Sequence, residues 1–217
     1  MAEVKICGLS SPETVACSIE AGARYVGFVF YPPSPRCVSV QVARELALEV
    51  PVGVARVGLF VDPDDDELDS VLETVPLDMV QIHKVTDHDR LSALRERAGL
   101  PMILPYAIGG AGDVDAAMAL RAQSDLLLLD AKPPKDANLP GGNGVSFDWD
   151  ILAGRRLPRG WMLAGGLTPQ TVGRAVNLTG APIVDVSSGV ESAPGVKDPA
   201  LIRAFIAAAK GDLPPRL

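Results

Sequence analysis

Eight short apolar runs punctuate the chain: Val4 to Cys7, Tyr25 to Phe30, Ala55 to Val61, Met79 to His83, Met102 to Ile108, Leu126 to Asp130, Trp161 to Ala164 and Ile183 to Val186. They are apolar almost throughout instead of alternating, which suits strands of a parallel sheet covered on its faces. The stretches between them are long enough for helices and carry apolar residues three and four apart, as in Val15 and Ile19, Val42 and Leu46, or Leu68, Val71 and Leu72. A strand followed by a helix, eight times over, predicts an α/β chain folded as a single (β/α)8 TIM barrel. The barrel is expected over residues 1–210, with residues 211–217, containing Pro214-Pro215, as a loosely packed or disordered tail.

Four segments offer a capping side chain followed by proline at the first helical position: Ser11-Pro12-Glu13, Asp62-Pro63-Asp64, Thr168-Pro169-Gln170 and Asp198-Pro199-Ala200. The acidic cluster Asp62, Asp64, Asp65, Asp66 and Glu67 is expected in the first turn of the third helix, where negative charge favours the helix dipole. A doubly wound open sheet is the rival. It would need a dinucleotide fingerprint after its first strand, which Cys7-Gly8-Leu9-Ser10-Ser11 does not supply.

Composition narrows the function classes. With 47% hydrophobic and 22% charged residues over 217 positions, the chain is neither disordered nor fibrous. Twenty basic against 27 acidic side chains give a net charge of −7, so the basic footprint of non-specific nucleic-acid binding is missing. No apolar run reaches membrane-spanning length and no signal peptide is visible, so the expectation is a cytoplasmic protein without a membrane partner. Cys7, Cys17 and Cys37 cannot all pair, and their spacing matches no zinc pattern; no metal site is expected.

In a barrel, chemistry is expected at the carboxyl ends of the strands and in the loops that follow. By that rule Cys7, Arg36, His83, Asp130 and Asp185 are the candidates. Beside them stand Gly141-Gly142-Asn143-Gly144, Gly165-Gly166 and Ser187-Ser188-Gly189. Any one of these segments could serve only a tight turn, but three on adjacent loops favour a phosphate, because small residues let backbone N–H groups approach its oxygens. Lys5 shares strand parity with Cys7 and so should point inward, where its ammonium needs a carboxylate; Asp185 is a candidate partner.

The segments Lys5-Ile6-Cys7-Gly8-Leu9, Gly27-Phe28-Val29-Phe30, Ser34-Pro35-Arg36, Gln81-Ile82-His83, Gly141-Gly142-Asn143-Gly144 with Phe147-Asp148-Trp149, Leu163-Ala164-Gly165-Gly166-Leu167 and Asp185-Val186-Ser187-Ser188-Gly189-Val190-Glu191 resemble, in order and from end to end, the phosphoribosylanthranilate isomerases of tryptophan biosynthesis. The resemblance implies an Amadori rearrangement of a small phosphorylated substrate with no cofactor. It implies Asp130 as the general acid on the furanose ring oxygen and Cys7 as the general base at C2′. It further implies Arg36 as a partner of the anthranilate carboxylate and Asp185 as a residue near the substrate amine. A carboxylic acid and a thiol at one barrel mouth can divide acid and base work if their surroundings separate their protonation states. His83 is read as supporting the site and not performing the chemistry, His88 as facing solvent, and Cys17 as inert packing.

The chain departs from the family pattern at Cys37, where an aromatic residue or histidine is expected, at Lys84, where glycine is common, and at Asn143, where serine is frequent. Two alternatives stand beside the isomerase. One is the related barrel isomerase of histidine biosynthesis, or a bifunctional enzyme, which resembles a two-aspartate design with a second phosphate site; here the first strand ends in Cys7. The other is a barrel that binds phosphosugars without turnover. Either a monomer or a homodimer fits the sequence.

Overall fold

The computed structural model describes residues 1–132, 141–142, 144–155, 157 and 160–211. Eight strands pair in chain order and close on themselves: β1 (Glu3–Cys7), β2 (Tyr25–Phe30), β3 (Ala55–Val61), β4 (Met79–His83), β5 (Met102–Ile108), β6 (Leu126–Ala131), β7 (Trp161–Leu163) and β8 (Ile183–Val186). Every neighbouring pair is parallel, and β1 meets β8 with Lys5 opposite Asp185. The single (β/α)8 TIM barrel is therefore the fold. Ala164, expected inside the seventh strand, follows it and donates its N–H to Leu129 O at 2.8 Å.

Strand parity divides the apolar residues into two sets. Val57, Met79, Ile103, Leu128, Met162, Ala164 and Ile183 pack together as one buried cluster. Their parity is that of Gln81, His83, Asp130 and Asp185 further along the same strands, so this cluster is the barrel's interior floor and the polar residues stand above it. The opposite set, including Ile6, Phe28, Phe60, Ile82, Leu104, Leu129 and Val184, meets the helices in the larger core.

Those helices are α1 (Pro12–Ala21), α2 (Val40–Leu48), α3 (Asp65–Thr74), α4 (His88–Ala98), α5 (Ala111–Ala119), α6 (Val172–Thr179) and α7 (Pro199–Lys210). Two of the four expected caps stand as read, with Ser11 accepting from Thr14 N–H and Asp198 from Ala200 and Leu201 N–H. Two shift. α3 is capped by Asp64, whose reciprocal bonds with Glu67 form a capping box, because that geometry satisfies two end groups at once. Asp62 instead sits in the left-handed region at φ +46° and donates its N–H to His83 O. α6 starts three residues later than read, after Thr171. The eightfold strand–helix alternation also breaks: among the described residues, a 3-10 turn at Trp149–Leu152 is the helical element between β6 and β7. After β8 come a 3-10 turn (Ser188–Val190) and a small hairpin, β9 (Glu191–Ala193) and β10 (Val196–Lys197), before α7. Gly211 caps α7; the remainder of the expected tail, 212–217, lies outside the described residues.

Candidate active site

Two open hollows adjoin at the carboxyl end of the barrel. The first, of about 460 Å³, is walled by glycines and serines of the loops after β6, β7 and β8, including Gly142, Gly144, Gly165, Gly166, Ser187, Ser188 and Gly189. The second, of about 510 Å³, holds Cys7, Arg36, Gln81 and His83 among the apolar side chains Val29, Leu59, Val61 and Leu128. Asp130, Gly141, Gly142, Asp185 and Ser187 line both. The site residues read from the sequence are thus brought together, except Asn143, which lies outside the described residues.

The first hollow depends on missing side chains. Gly165 has φ +90°, and a Cβ there would come within 2.7 Å of Ala131 N; a Cβ on Gly189 would stand 1.9 Å from Leu167 O. The three loops can approach one another only through bare backbone, and bare backbone is also what lets N–H groups come close to a small anion.

In the second hollow Cys7 ends β1 opposite Gly27 of β2, whose lack of a side chain leaves room for the thiol. Burial pushes the Cys7 thiol above its ordinary value; the Lys5 charge pulls it down, Asp185 pushes it up again, and Lys197 pulls it down. Lys5 is fully buried and donates at 2.9 Å to Oδ1 of Asp185, the candidate partner for an inward-pointing lysine. Burial alone would lower the Lys5 pKa, but the Asp185 carboxylate holds it above the usual lysine value. Hence Lys5 stays charged, and its charge is shared between a carboxylate and the thiol.

Asp130 carries the opposite shift from an ordinary carboxylic acid. Burial and the nearby Asp185 charge raise it to about 7, against the pull of the Ala131 N–H at 2.8 Å and of Lys5. It is a protonated or half-protonated acid at neutral pH. His83 moves the other way, to about 3, because burial and the charges of Lys5 and Lys84 disfavour imidazolium. Its Nε2 lies 2.7 Å from Gln81 Nε2. A histidine held neutral in this way carries no proton between groups at pH 7, which agrees with a supporting role.

Arg36 is buried, and its fork is not simply presented to the hollow. Nε donates to Glu191 Oε1 at 2.7 Å and Nη2 to Glu191 Oε2 at 2.9 Å, with a longer contact from Nη2 to Gly142 O. This bidentate pair occupies one edge of the guanidinium and fixes its plane. Glu191 also accepts from Lys197 Nζ at 2.6 Å, and Lys197 donates to Ser187 O and Oγ. Ser187 Oγ in turn donates to Cys7 O at 3.0 Å. Although burial alone would raise it, Arg36 and Lys197 hold the Glu191 carboxyl below its ordinary value. Burial lowers Lys197 against the pull of Glu191.

Glu191 as an anchor, Lys197 and Gln81 were missed as site residues in the sequence reading. The Pro194-Gly195 dipeptide between two short runs was the available signal, since it marks the turn that folds Lys197 back beside Glu191. Of the other cysteines, Cys17 lies at the α1–α7 contact, 3.1 Å from Arg203 Nη1 and donating to Pro199 O; Cys37 is half-buried and lines neither hollow. Lys84 holds φ +61°, a conformation that glycine adopts without strain. His88 is exposed. Among the described residues no group of His, Cys, Asp and Glu side chains could hold a metal ion, and no helix is long and apolar enough to cross a membrane.

A family model described as N-(5'phosphoribosyl)anthranilate (PRA) isomerase matches residues 4–208. The N-(5'-phosphoribosyl)anthranilate isomerase of Paracoccus denitrificans is 57% identical over 206 residues, 95% of this chain and 96% of that one. That of Paramagnetospirillum magneticum is 55% identical, covering 98% and 99%. Among solved structures, the Thermotoga maritima phosphoribosyl anthranilate isomerase superposes with a TM-score of 0.84 at 36% identity, over 97% of this chain and all of that one. A second similar structure, with a TM-score of 0.81, 36% identity and the same coverage, is a phosphoribosyl anthranilate isomerase in complex with reduced 1-(o-carboxyphenylamino)-1-deoxyribulose 5-phosphate.

Proposed function

The chain belongs to the N-(5'-phosphoribosyl)anthranilate isomerase family, and we propose that it performs the isomerase reaction of tryptophan biosynthesis with Asp130 as acid and Cys7 as base. The activity follows from the family; the surroundings of the two groups support the division of labour. The observation that carries it is the meeting of two proton-transfer groups at one mouth, both lining the second hollow: a carboxyl raised to about 7, which keeps a proton to give, and a thiol that burial pushes above its ordinary value but that Lys5 and Lys197 pull back toward the thiolate.

The phosphate of N-(5'-phosphoribosyl)anthranilate belongs in the glycine-walled hollow, against the loops that carry Gly142, Asn143, Gly144, Gly165, Gly166, Ser187, Ser188 and Gly189. The aromatic ring belongs in the second hollow, where Val29, Leu59, Val61 and Leu128 offer apolar surface. Its carboxylate takes the N–H groups of Arg36 that Glu191 leaves over. In this pose the ribosyl group spans the shared wall, beside Asp130 and Asp185.

The protonated Asp130 gives its proton to the ring oxygen, the C1′–O bond breaks, and the nitrogen lone pair forms a Schiff-base cation at C1′. That cation acidifies the C2′ proton, which Cys7 removes as thiolate, and the C–H electrons neutralise the iminium to give an enolamine. Moving the enol proton to C1′ yields the ketone, so no electron acceptor or cofactor is needed. The Asp185 carboxylate stands where it can offset charge developing on the substrate nitrogen.

The test is a fluorescence assay of substrate loss for the wild type, Cys7→Ala and Asp130→Ala, with circular dichroism as the fold control. Each folded variant should lose on the order of 10²-fold or more in kcat. Full activity in either variant would remove that residue from the mechanism.

A further inference from the structure

Of the side chains lining the second hollow, Gln81 alone has a fully buried nitrogen or oxygen atom with no hydrogen-bond partner among the described residues. It is 1% exposed, and its Oε1 has no hydrogen-bond partner. The register places Leu59 of β3 on one side and Ile103 of β5 on the other, neither of which can pair with an amide. The other end of the amide meets His83 Nε2 at 2.7 Å. Because His83 is neutral, its ring has a single N–H, and it can satisfy only the amide end that faces it. Turning the amide by half a revolution exchanges donor and acceptor but still leaves one end without a partner.

A buried polar group without a partner carries a desolvation cost that an apolar residue of the same size would avoid. Gln81 lines the hollow that contains Cys7 and does not line the glycine-walled one. We propose that the free end of the Gln81 amide is a substrate-binding group, and that its partner is a sugar hydroxyl at the reacting, C2′ end of the ribosyl chain. A hydroxyl both donates and accepts, so it fits the free end in either amide orientation, whereas an aryl amine N–H fits only one. The assignment of the hydroxyl to C2′ rests on the proposed function, which puts that carbon beside Cys7. His83 then acts through Gln81, fixing which way the amide faces.

The experiment is a binding cycle by calorimetry with two probes: the reduced 1-(o-carboxyphenylamino)-1-deoxyribulose 5-phosphate and the same compound lacking the C2′ hydroxyl. The wild type should bind the deoxy compound about 10-fold or more weakly. Gln81→Met, which keeps length and volume, should bind both equally and at the weaker affinity, with kcat/KM reduced by a similar factor. Should that variant not fold, Gln81→Ala gives the same reading. Equal binding of both probes by the wild type, or undiminished discrimination in a folded Gln81 variant, would overturn the proposal. Cys7→Ala should still discriminate between the probes, so a failure of the acid–base assignment is distinguishable from a failure of this one.

Discussion

At the scale of single residues, the raised Asp130 ties catalysis to stability. Its ordinary value is 3.8 and its folded value about 7, so the native state retains a proton that the unfolded chain releases between these limits. The sign follows: this group's contribution to stability falls as pH rises through that window, and above it the ionised, half-buried carboxyl imposes a constant penalty. Asp130→Asn cannot ionise. It should match the wild type in stability near pH 4 and exceed it above pH 7 by on the order of 2 to 4 kcal/mol, while losing turnover. Denaturant titrations at several pH values measure this, and a pH-independent difference would contradict it. In the wild type the acid form declines above about pH 7, so kcat/KM should fall there for lack of the proton donor.

At the scale of elements, the β9–β10 hairpin does work that a loop of the same length would not. It brings Glu191 and Lys197 together and binds the Arg36 loop to the Ser187 loop, so the subsites proposed for carboxylate and phosphate are tied by one chain of ionic and hydrogen bonds. Glu191→Gln removes the carboxylate between two buried cations. Its cost to stability should be about 3 kcal/mol, because Arg36 and Lys197 are left facing each other without compensation. If Arg36 reads the substrate carboxylate in both ground and transition states, KM should rise about 10-fold or more with a smaller change in kcat. A loss confined to kcat would point to Glu191 acting on the proton transfers instead. This hairpin also shows what the sequence conceals. The eight strands were legible because apolar runs report burial directly, and strand parity turned Lys5 inward with Asp185 as a candidate partner. Cys7, Asp130 and the glycine loops followed from their places at strand ends. Glu191 and Lys197 were not legible as an ion pair, since two polar residues six apart declare no contact until a turn folds one onto the other. The Asp62 cap was misread for a related reason, since its segment holds more than one competent capping side chain and Asp64 takes the role; at α6 the hydroxyl of Thr171 accepts from Thr168 N–H and makes no cap bond to the helix.

For the whole molecule, the seam between β1 and β8 is where the chain's ends become one sheet, and Lys5 and Asp185 face each other across it. A buried ion pair is an expensive means of joining two strands. Its desolvation cost offsets most of its attraction, and apolar residues of similar volume hold a sheet as well or better. The pair therefore makes sense as chemistry set into the closure: one positive charge near Cys7 and one negative charge near Asp130, each fixed by the register that completes the barrel. Lys5→Met alone leaves the Asp185 carboxylate buried without its partner and should destabilise by about 3 to 5 kcal/mol. Lys5→Met with Asp185→Leu should recover most of that loss, because neither charge remains, yet turnover should stay abolished. Cooperative unfolding of the double variant, followed by denaturant titration beside the activity assay, separates the two roles. A double variant no more stable than Lys5→Met would mean that the ion pair closes the barrel, and an active one would mean that the charges at the seam are dispensable to the proton transfers above them.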